Sequence, residues 1–369
     1  MRSTPILGNL AFKLSRENAL ARWKGTPDSA KDRLNGKICI PVGRQSFTAD
    51  SSATFFAMGS CFARNVEERL ELAGAKVRSR DIDSIPHLAA ETARATGAFN
   101  KYNPYSVLQE LEFASGVRVY PENALLPAGE GQVYDGQLRS NAGSGTVETM
   151  MRRREAINDY FQQAFTSDIF IFTLGLIEAW YDRETGLYLN EAPAPRLLRS
   201  QGDRFEFKCL TVDEVKTAIE QIDALLSMHG KPAQKRVMTV SPVPIGRTFT
   251  SDDVIVANMT SKSTLRVAAM EFLAARDSFD YFPSYEAVML SHPDLSWQSD
   301  RLHASDFIVG EIIKTFLHRY EIQENITFAE ADHSESDDEK IIRRLNREID
   351  KYKNEIIRME AMLKSKTAS

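Results

Sequence analysis

The chain has 369 residues, of which 43% are hydrophobic, and its net charge at pH 7 is -5. This length and composition predict a globular protein with a sizeable core, and the acidic net charge argues against non-specific binding to nucleic acid or anionic membranes. The three cysteines, Cys39, Cys61 and Cys209, are too few and too far apart to form a disulfide framework or a metal site. We therefore expect a reducing compartment, no metal and no cofactor.

No stretch of the chain approaches the roughly 20 apolar residues of a transmembrane helix. The first residues also lack the continuous apolar segment of a signal peptide. We therefore expect a cytoplasmic protein without membrane insertion. Residues 1–50 have a mixed composition and are predicted to form an N-terminal extension that packs on a main domain of residues 51–322.

A strand, a tight turn and a helix are predicted in succession over residues 53–74. The apolar run at residues 53–58 is typical of a buried strand, and the amphipathic pattern that follows predicts a helix ended by Gly74. Ser60 then lies in the turn, where free N–H groups of the helix start could stabilise an oxyanion. An ordinary turn with a serine N-cap has the same pattern, so the residues alone leave both interpretations open.

Predicted strands and helices alternate along the rest of the chain. The further predicted strands cover residues 75–80, 168–174, 235–241 and 279–283, and the further helices residues 105–113, 150–165, 211–228, 258–275 and 305–320. Residues 116–148 are predicted to be a long irregular insertion, and residues 181–208 a strand-rich excursion. The alternation favours a doubly wound parallel sheet between two helical layers, a three-layer α/β/α fold. Ligands bind such sheets at the carboxyl ends of the strands, where Ser60, Gly175 and Ser241 would share one rim.

The string Gly-Ser-Cys-Phe-Ala at residues 59–63 resembles the signature that names the GSCFA family. Four later segments also resemble segments of that family, in the expected order: residues 100–103, 173–180, 239–244 and 300–303. The resemblance covers roughly residues 20 to 320. The family in turn resembles the SGNH/GDSL hydrolases, which implies a flavodoxin-like fold with Ser60 as the nucleophile.

Asp300 and His303 form the Asp-x-x-His pattern that the resemblance pairs with the nucleophilic serine. A serine hydroxyl needs an adjacent base to accept its proton, and imidazole titrates near neutral pH. A carboxylate three residues earlier could orient that imidazole. We therefore expect His303 to lie within hydrogen-bonding reach of Ser60, with His292 as the second candidate base. Without the serine segment, the same pattern would indicate only a solvated surface loop.

The oxyanion hole of SGNH hydrolases includes an asparagine side chain from a Gly-x-Asn segment. In this sequence Ile177 stands where that asparagine would be expected after Gly175. The backbone N–H groups of Ser60 and Gly175 remain as candidate donors. Asn103 could supply the missing side chain, or it could only shape the turn before Pro104.

Glu178 and Trp180 follow the same predicted strand end as Gly175 and are candidate substrate-binding residues. Trp180 could form a stacking wall for a sugar ring, although such a tryptophan is more often part of the core. Cys61 adjoins Ser60, but its side chain should point into the packing, where a thiol is usually inert.

The resemblance implies a serine esterase or acyltransferase that works through an acyl-enzyme on O-acyl groups of carbohydrate or polysaccharide. Hydrolysis and transfer differ only in the acceptor that meets the acyl-enzyme, so the sequence does not separate them. The alternative is a non-catalytic binding or scaffold protein that keeps the fold and assembles through its C-terminal segment.

The C-terminal segment changes character after an acidic linker at residues 323–340. Apolar residues then recur at spacings that alternate between three and four: Ile342, Leu345, Ile349, Tyr352, Ile356, Met359 and Leu363. This heptad pattern predicts a coiled-coil helix over residues 341–365 and favours a parallel homodimer. A single helix folded back on its own domain is the alternative.

Overall fold

The structure, a computed structural model, describes residues 5–82, 85 and 95–322. Its helices are α1 (Gly8–Glu17), α2 (Ala30–Asn35), α3 (Cys61–Leu72), α4 (Pro104–Ser115), α5 (Val147–Thr166), α6 (Pro195–Ser200), α7 (Val212–His229), α8 (Val254–Ala275), α9 (Ser284–Leu290), α10 (Pro293–Ser296) and α11 (Asp306–Arg319). Its strands are β1 (Thr54–Gly59), β2 (Lys76–Val77), β3 (Leu125–Gly129), β4 (Gln132–Asp135), β5 (Ile169–Leu174), β6 (Glu178–Asp182), β7 (Leu187–Leu189), β8 (Phe205–Cys209), β9 (Lys235–Val240) and β10 (Asp280–Tyr281). The predicted linker and the predicted dimerising coiled coil, residues 323–340 and 341–365, lie outside the described residues.

A five-stranded parallel sheet in the order β10-β9-β5-β1-β2 forms the centre of the fold. Counted along the chain, this is the strand order of flavodoxin-like doubly wound sheets. The direction of strand addition reverses between β1 and β5. Ligands of such folds bind outside the carboxyl ends of the strands at this reversal, so the topology alone points to the residues that follow Gly59 and Leu174.

The sheet is covered on both faces, and its side chains alternate between two hydrophobic clusters. Phe56, Met58, Phe170 and Phe172 face the cluster that contains buried side chains of α4, α5, α7 and α8. Phe55, Ala57, Ile169 and Ile171 face the cluster formed with α3, α9 and α11. The apolar runs at residues 53–58 and 168–174 are continuous because both faces of these strands are buried. The predicted three-layer α/β/α fold is confirmed.

Most of the predicted element positions are confirmed, with small differences at the ends. Thr211 and Ser305 are the N-caps of α7 and α11, and each side chain accepts a hydrogen bond from a backbone N–H of the first turn. The helix predicted from residue 258 begins earlier, because Asp253 caps it by accepting a hydrogen bond from the Ile255 N–H. The predicted strand at residues 75–80 is shorter and continues as a 3-10 turn at Arg78–Arg80.

The prediction of an irregular insertion at residues 116–148 is wrong. β3 and β4 form an antiparallel hairpin there. Its two-residue loop consists of Glu130 and Gly131, which have φ angles of 51° and 72°, as in the turns that match the twist of a hairpin. Glutamate rarely adopts a positive φ, so this loop carries no Asn-Gly or Asp-Gly signal. The excursion after β5 is strand-rich as predicted, with β7, β6 and β8 in an antiparallel sheet.

Part of the N-terminal segment contacts the second hydrophobic cluster. The Cys39 N–H donates to Ser291 Oγ at 2.9 Å, the Phe47 ring stacks on Tyr320 at 4.4 Å between centroids, and the Ala49 N–H donates to the Tyr320 carbonyl. By contrast, α1 has no buried residue. Among the helices of the described segments, none is both long enough and apolar enough to cross a bilayer.

A buried network of charges supports the loop before α4. Lys101 and Arg154 both contact the carboxylate of Glu110, and Arg154 also pairs with Asp135 of β4 at 3.1 Å. All four side chains are almost completely buried. Replacing one member would leave a charge buried without its partner, which is costly. The network therefore fixes the loop at residues 100–103 against the inserted hairpin.

Candidate active site

A cavity of about 620 Å³ opens at the carboxyl edge of the central sheet, where the strand order reverses. Ser60 and Cys61 after β1 and Gly175 after β5 line its floor, and residues 243–247 and Phe249 after β9 line one wall. His303 reaches the same cavity from the loop between α10 and α11. Three strand ends and one loop thus bring residues from distant parts of the chain around a single space.

The turn at Gly59 and Ser60 depends on glycine. Gly59 has a φ of 137°, and a Cβ there would lie 2.1 Å from the Thr173 carbonyl oxygen of the neighbouring strand. Only glycine combines that backbone conformation with so close an approach. The turn places Ser60 at the N-cap position of α3, directly beyond the end of β1.

The Ser60 hydroxyl does not cap the helix. Its side chain makes no capping hydrogen bond, and the buried Oγ has no hydrogen-bond partner in the structure. An unsatisfied buried hydroxyl costs about 1–3 kcal/mol, whereas an ordinary serine N-cap would satisfy its own oxygen. Helix capping therefore does not explain why a serine stands at position 60.

Asp300 and His303 form a preassembled pair. The His303 Nδ1 lies 2.6 Å from Asp300 Oδ2, and the other carboxylate oxygen accepts hydrogen bonds from the Leu302 and His303 N–H groups. These bonds, first the one from the His303 N–H, lower the pKa of Asp300 to about 2. Because Nδ1 faces the carboxylate, Nε2 is the ring nitrogen left to exchange a proton elsewhere.

The loop that carries this pair is held closed from both sides. Trp297 and Ala304 form an antiparallel bridge, and the Gln298 N–H donates to the His303 carbonyl. Arg301 adopts a φ of 55° at the centre of the turn, a conformation that non-glycine residues seldom take. His303 lines the cavity with Ser60, but no hydrogen bond joins the two side chains in the described residues. The expected hydrogen-bonding reach is therefore not observed, although such contacts often tighten only when substrate binds.

The backbone of Gly175 faces Ser60. The Leu174 carbonyl accepts a hydrogen bond from the Ser241 N–H on the β9 side of β5. Because the peptide is trans, the Gly175 N–H of the same unit points the opposite way, toward β1. A Cβ on Gly175 would lie 3.3 Å from Ser60 Cβ. The backbone hydrogen bonds outside the helices and strands of the described residues include none from the Ser60 or Gly175 N–H, so both are candidate donors to an oxyanion.

We expect Gly175→Ala to destabilise the fold, because the new Cβ would lie 2.4 Å from the Tyr102 carbonyl oxygen. The added methyl group should lower the free energy of unfolding by about 1–3 kcal/mol, as overpacking usually does. Denaturant unfolding measures this change. Gly202→Ala is the matched control, since a Cβ there has no neighbour within 4 Å; equal stability of the two variants would contradict the close packing at Gly175.

Lys262 of α8 lies beneath the Gly175 segment and is 1% exposed. Its Nζ donates to the Gly175 carbonyl at 2.7 Å, and no carboxylate of the described residues pairs with it. Burial lowers the pKa of Lys262 to about 7, and the neighbouring Cys61 opposes this shift. On the preceding residue, the Ser261 Oγ accepts a hydrogen bond from the Ile177 N–H. Helix α8 thus fixes the backbone on which the Gly175 N–H depends.

The structure gives Asn103 a role other than oxyanion donor. Its Oδ1 accepts a hydrogen bond from the Ser106 N–H and caps α4, and its Nδ2 donates to the Leu189 carbonyl at 3.0 Å. Asn103 is 2% exposed and is not among the residues that line the cavity. We therefore correct its assignment: Asn103 shapes the turn before Pro104.

Glu178 and Trp180 both line the cavity. The Glu178 carboxylate is already engaged, because it accepts hydrogen bonds from the Thr248 hydroxyl at 2.5 Å and from the Phe249 N–H at 2.9 Å. It therefore holds the wall after β9 in place. The Trp180 ring packs edge-on against Phe249, and its buried Nε1 has no hydrogen-bond partner in the structure. Trp180 thus offers both an aromatic surface and an unused donor beside the cavity.

Cys61, the alternative nucleophile, and His292, the second candidate base, lie in environments that do not suit those roles. Cys61 lines the cavity, but burial raises the pKa of its thiol, which keeps it in the less reactive protonated form. His292 caps α10 by accepting a hydrogen bond from the Asp294 N–H at 3.3 Å, and it does not line the cavity. The alternative base is therefore placed away from Ser60.

The model of the GSCFA family matches residues 54–316, which include β1, the Ser60 turn and the loop of His303. The chain belongs to the GSCFA family. Searches of the curated proteins and of the solved structures found no match. For this GSCFA protein, the match covers every residue that we place around the cavity floor.

Sequence reasoning missed several residues of this GSCFA site. Lys262 was not singled out, although Lys262, Leu265, Ala269 and Phe272 recur at spacings of three and four on a buried face of α8. A lysine within an apolar stripe is the signal that could have indicated it. Arg247 was also missed, because it lies in a loop whose position depends on tertiary contacts.

Proposed function

We propose that this protein is a serine esterase or O-acyltransferase that works through an acyl-enzyme, on O-acyl groups of carbohydrate or polysaccharide. The observation that carries the proposal is the buried Ser60 Oγ, which has no hydrogen-bond partner among the described residues and adjoins a cavity that His303 also lines. Family membership and the resemblance to SGNH hydrolases support it.

In the proposed reaction, Ser60 Oγ attacks the acyl carbonyl while its proton passes to His303 Nε2. The charge that develops on the carbonyl oxygen is stabilised by the N–H groups of Ser60 and Gly175. Asp300 stays ionised, since its pKa is about 2, and stabilises the imidazolium. His303 then returns the proton to the departing alcohol, which leaves the acyl group on Ser60.

The second half of the reaction repeats these roles with a new acceptor. A water molecule or a sugar hydroxyl gives its proton to His303 and attacks the acyl carbonyl, and Ser60 is released when the proton returns to its oxygen. Lys262 has a supporting role throughout, because its hydrogen bond to the Gly175 carbonyl fixes the peptide that precedes Leu176. This arrangement accounts for the absence of an asparagine at Ile177: backbone groups supply the donors.

A fluorophosphonate probe tests the proposal directly, because it reacts covalently with an activated serine. We expect peptide mapping by mass spectrometry to place the label on Ser60. Ser60→Ala should not be labelled, whereas Cys61→Ala should be, since the thiol is not the nucleophile. No labelling of the folded wild-type protein between pH 6 and pH 9 would favour the non-catalytic scaffold instead.

A further inference from the structure

A second cavity adjoins the one at Ser60. Its volume is about 560 Å³, and the two cavities share four lining residues, Ser140, Ala192, Arg247 and Phe249. Together they form a continuous groove that begins at Ser60 and extends past Arg247. A cavity of this size already accommodates a drug-sized ligand. A single small acyl group would therefore fill only a small part of the groove. The groove therefore fits a ligand that continues beyond the scissile ester.

The second cavity has an uneven charge. Arg196 and Arg247 line it, and none of the described residues around it is Asp or Glu. In the described part of the chain, neither guanidinium forms an ion pair with a carboxylate; Arg196 donates to the Pro127 carbonyl at 2.8 Å, and Arg247 lies 4.7 Å from the centroid of Phe249.

The carboxylates of the first cavity do not neutralise the positive charge of Arg196 and Arg247. Glu191 pairs with Arg139 at 3.3 Å and accepts a hydrogen bond from the Ser140 N–H. Glu178 accepts its two hydrogen bonds from the loop at residues 248–249. Both carboxylates are thus occupied, and two guanidinium groups remain available, that of Arg247 where the cavities meet and that of Arg196 in the second cavity. Guanidinium groups bind carboxylate or sulfate oxygens in a bidentate way.

We propose that the groove binds a negatively charged sugar chain, with Arg196 and Arg247 contacting an acidic group on a sugar unit next to the acylated one. The inference rests on the proposed function for the position of the ester at Ser60. Trp180, Phe249 and Tyr134 supply aromatic surfaces along the groove, which suits the apolar faces of sugar rings. Neutral acylated glycans lack the group that the two arginines recognise.

Two measurements with defined oligosaccharides test the proposal. Isothermal calorimetry measures direct binding of an oligogalacturonate, a sulfated galactan oligomer and a neutral xylo-oligosaccharide of equal length. The second measurement is the protection of Ser60 from the fluorophosphonate probe by the same three oligomers. We expect an acidic oligomer to bind at least about tenfold more tightly than the neutral one, and added salt to weaken it. The first two oligomers distinguish carboxylate from sulfate as the recognised group.

Arginine variants assign the contacts. Arg247→Gln and Arg196→Gln should each weaken acidic-oligomer binding by about tenfold, because a charge-assisted hydrogen bond is lost. Arg199→Gln is the matched control: it removes the same charge from an exposed position on α6 that lines neither cavity. Equal binding of neutral and acidic oligomers, or equal losses in all three variants, would overturn the proposal. Calorimetric binding does not depend on a reactive serine. If the proposed chemistry is wrong, the fluorophosphonate probe will not label Ser60, but the calorimetric comparison will still show whether the groove prefers acidic oligomers.

Discussion

Ser60→Ala and His303→Ala should each reduce ester turnover on the order of 10⁴- to 10⁶-fold, and the double variant should be no worse than either. The losses do not add because the hydroxyl and the imidazole act in one proton transfer. Ser60→Ala should also leave the free energy of unfolding unchanged or slightly higher, since the buried Oγ has no hydrogen-bond partner to lose within the described part of the chain. Turnover of p-nitrophenyl acetate and denaturant unfolding measure the two effects.

His292→Ala is the control for this prediction. It removes the other histidine of the same region, which caps α10 and does not line the cavity. We expect it to retain turnover. Comparable losses in His292→Ala and His303→Ala, or additive losses in the double variant, would contradict the assignment of His303 as the base.

Lys262→Met should make the protein more stable and less active. The fall in the pKa of Lys262 from 10.5 to about 7 corresponds to an unfavourable burial of charge on the order of 5 kcal/mol. Methionine removes this penalty but leaves the Gly175 carbonyl unpaired, which costs about 1–3 kcal/mol. We therefore expect a net gain of a few kcal/mol below pH 7. Turnover should fall by at least about tenfold, because the Gly175 carbonyl loses the hydrogen bond that fixes the backbone beside Ser60.

The stability difference between Lys262→Met and the wild type should change with pH in a defined direction. Between pH 7 and pH 10.5, Lys262 binds fewer protons in the folded state than in the unfolded state, so its contribution makes wild-type stability rise with pH. The advantage of Lys262→Met should therefore shrink across this range. Lys314→Met, at an exposed position of α11, is the control and should show no such trend. A variant that loses stability and activity together at pH 6 would mean that Lys262 is simply a structural residue.

The parts of the fold that the sequence predicts are those determined by local patterns. Continuous apolar runs identify β1, β5 and β9, since strands buried on both faces need them, and Thr211 and Ser305 cap helices through bonds within one turn. The hairpin at residues 125–135 was missed because Glu130 takes a positive φ that its side chain does not favour. That conformation is imposed by the pairing of the strands.

In the candidate site, too, residues in local motifs can be predicted from the sequence, whereas residues brought together by tertiary contacts cannot. Ser60, Asp300 and His303 are recognisable because their motifs are short and local. Asn103 was ambiguous, because asparagine before proline suits a helix cap as well as an exposed donor, and only the position of Leu189 decides between them. Arg196 lies at the start of α6 and Arg247 in the loop after β9, and both line the second cavity. No local pattern indicates that pairing.

The separation of the site residues along the chain has a consequence for folding. Asp300 and His303 are three positions apart, so their contact closes a very short loop and costs little chain entropy. Ser60 comes from the other end of the described domain, and it meets His303 only after the whole sheet has been assembled around β1 and β5. Contacts between such distant segments form late in folding. The proposed esterase activity would therefore report the completed tertiary structure, whereas we expect a signal from the Asp300–His303 loop to appear in partly folded chains.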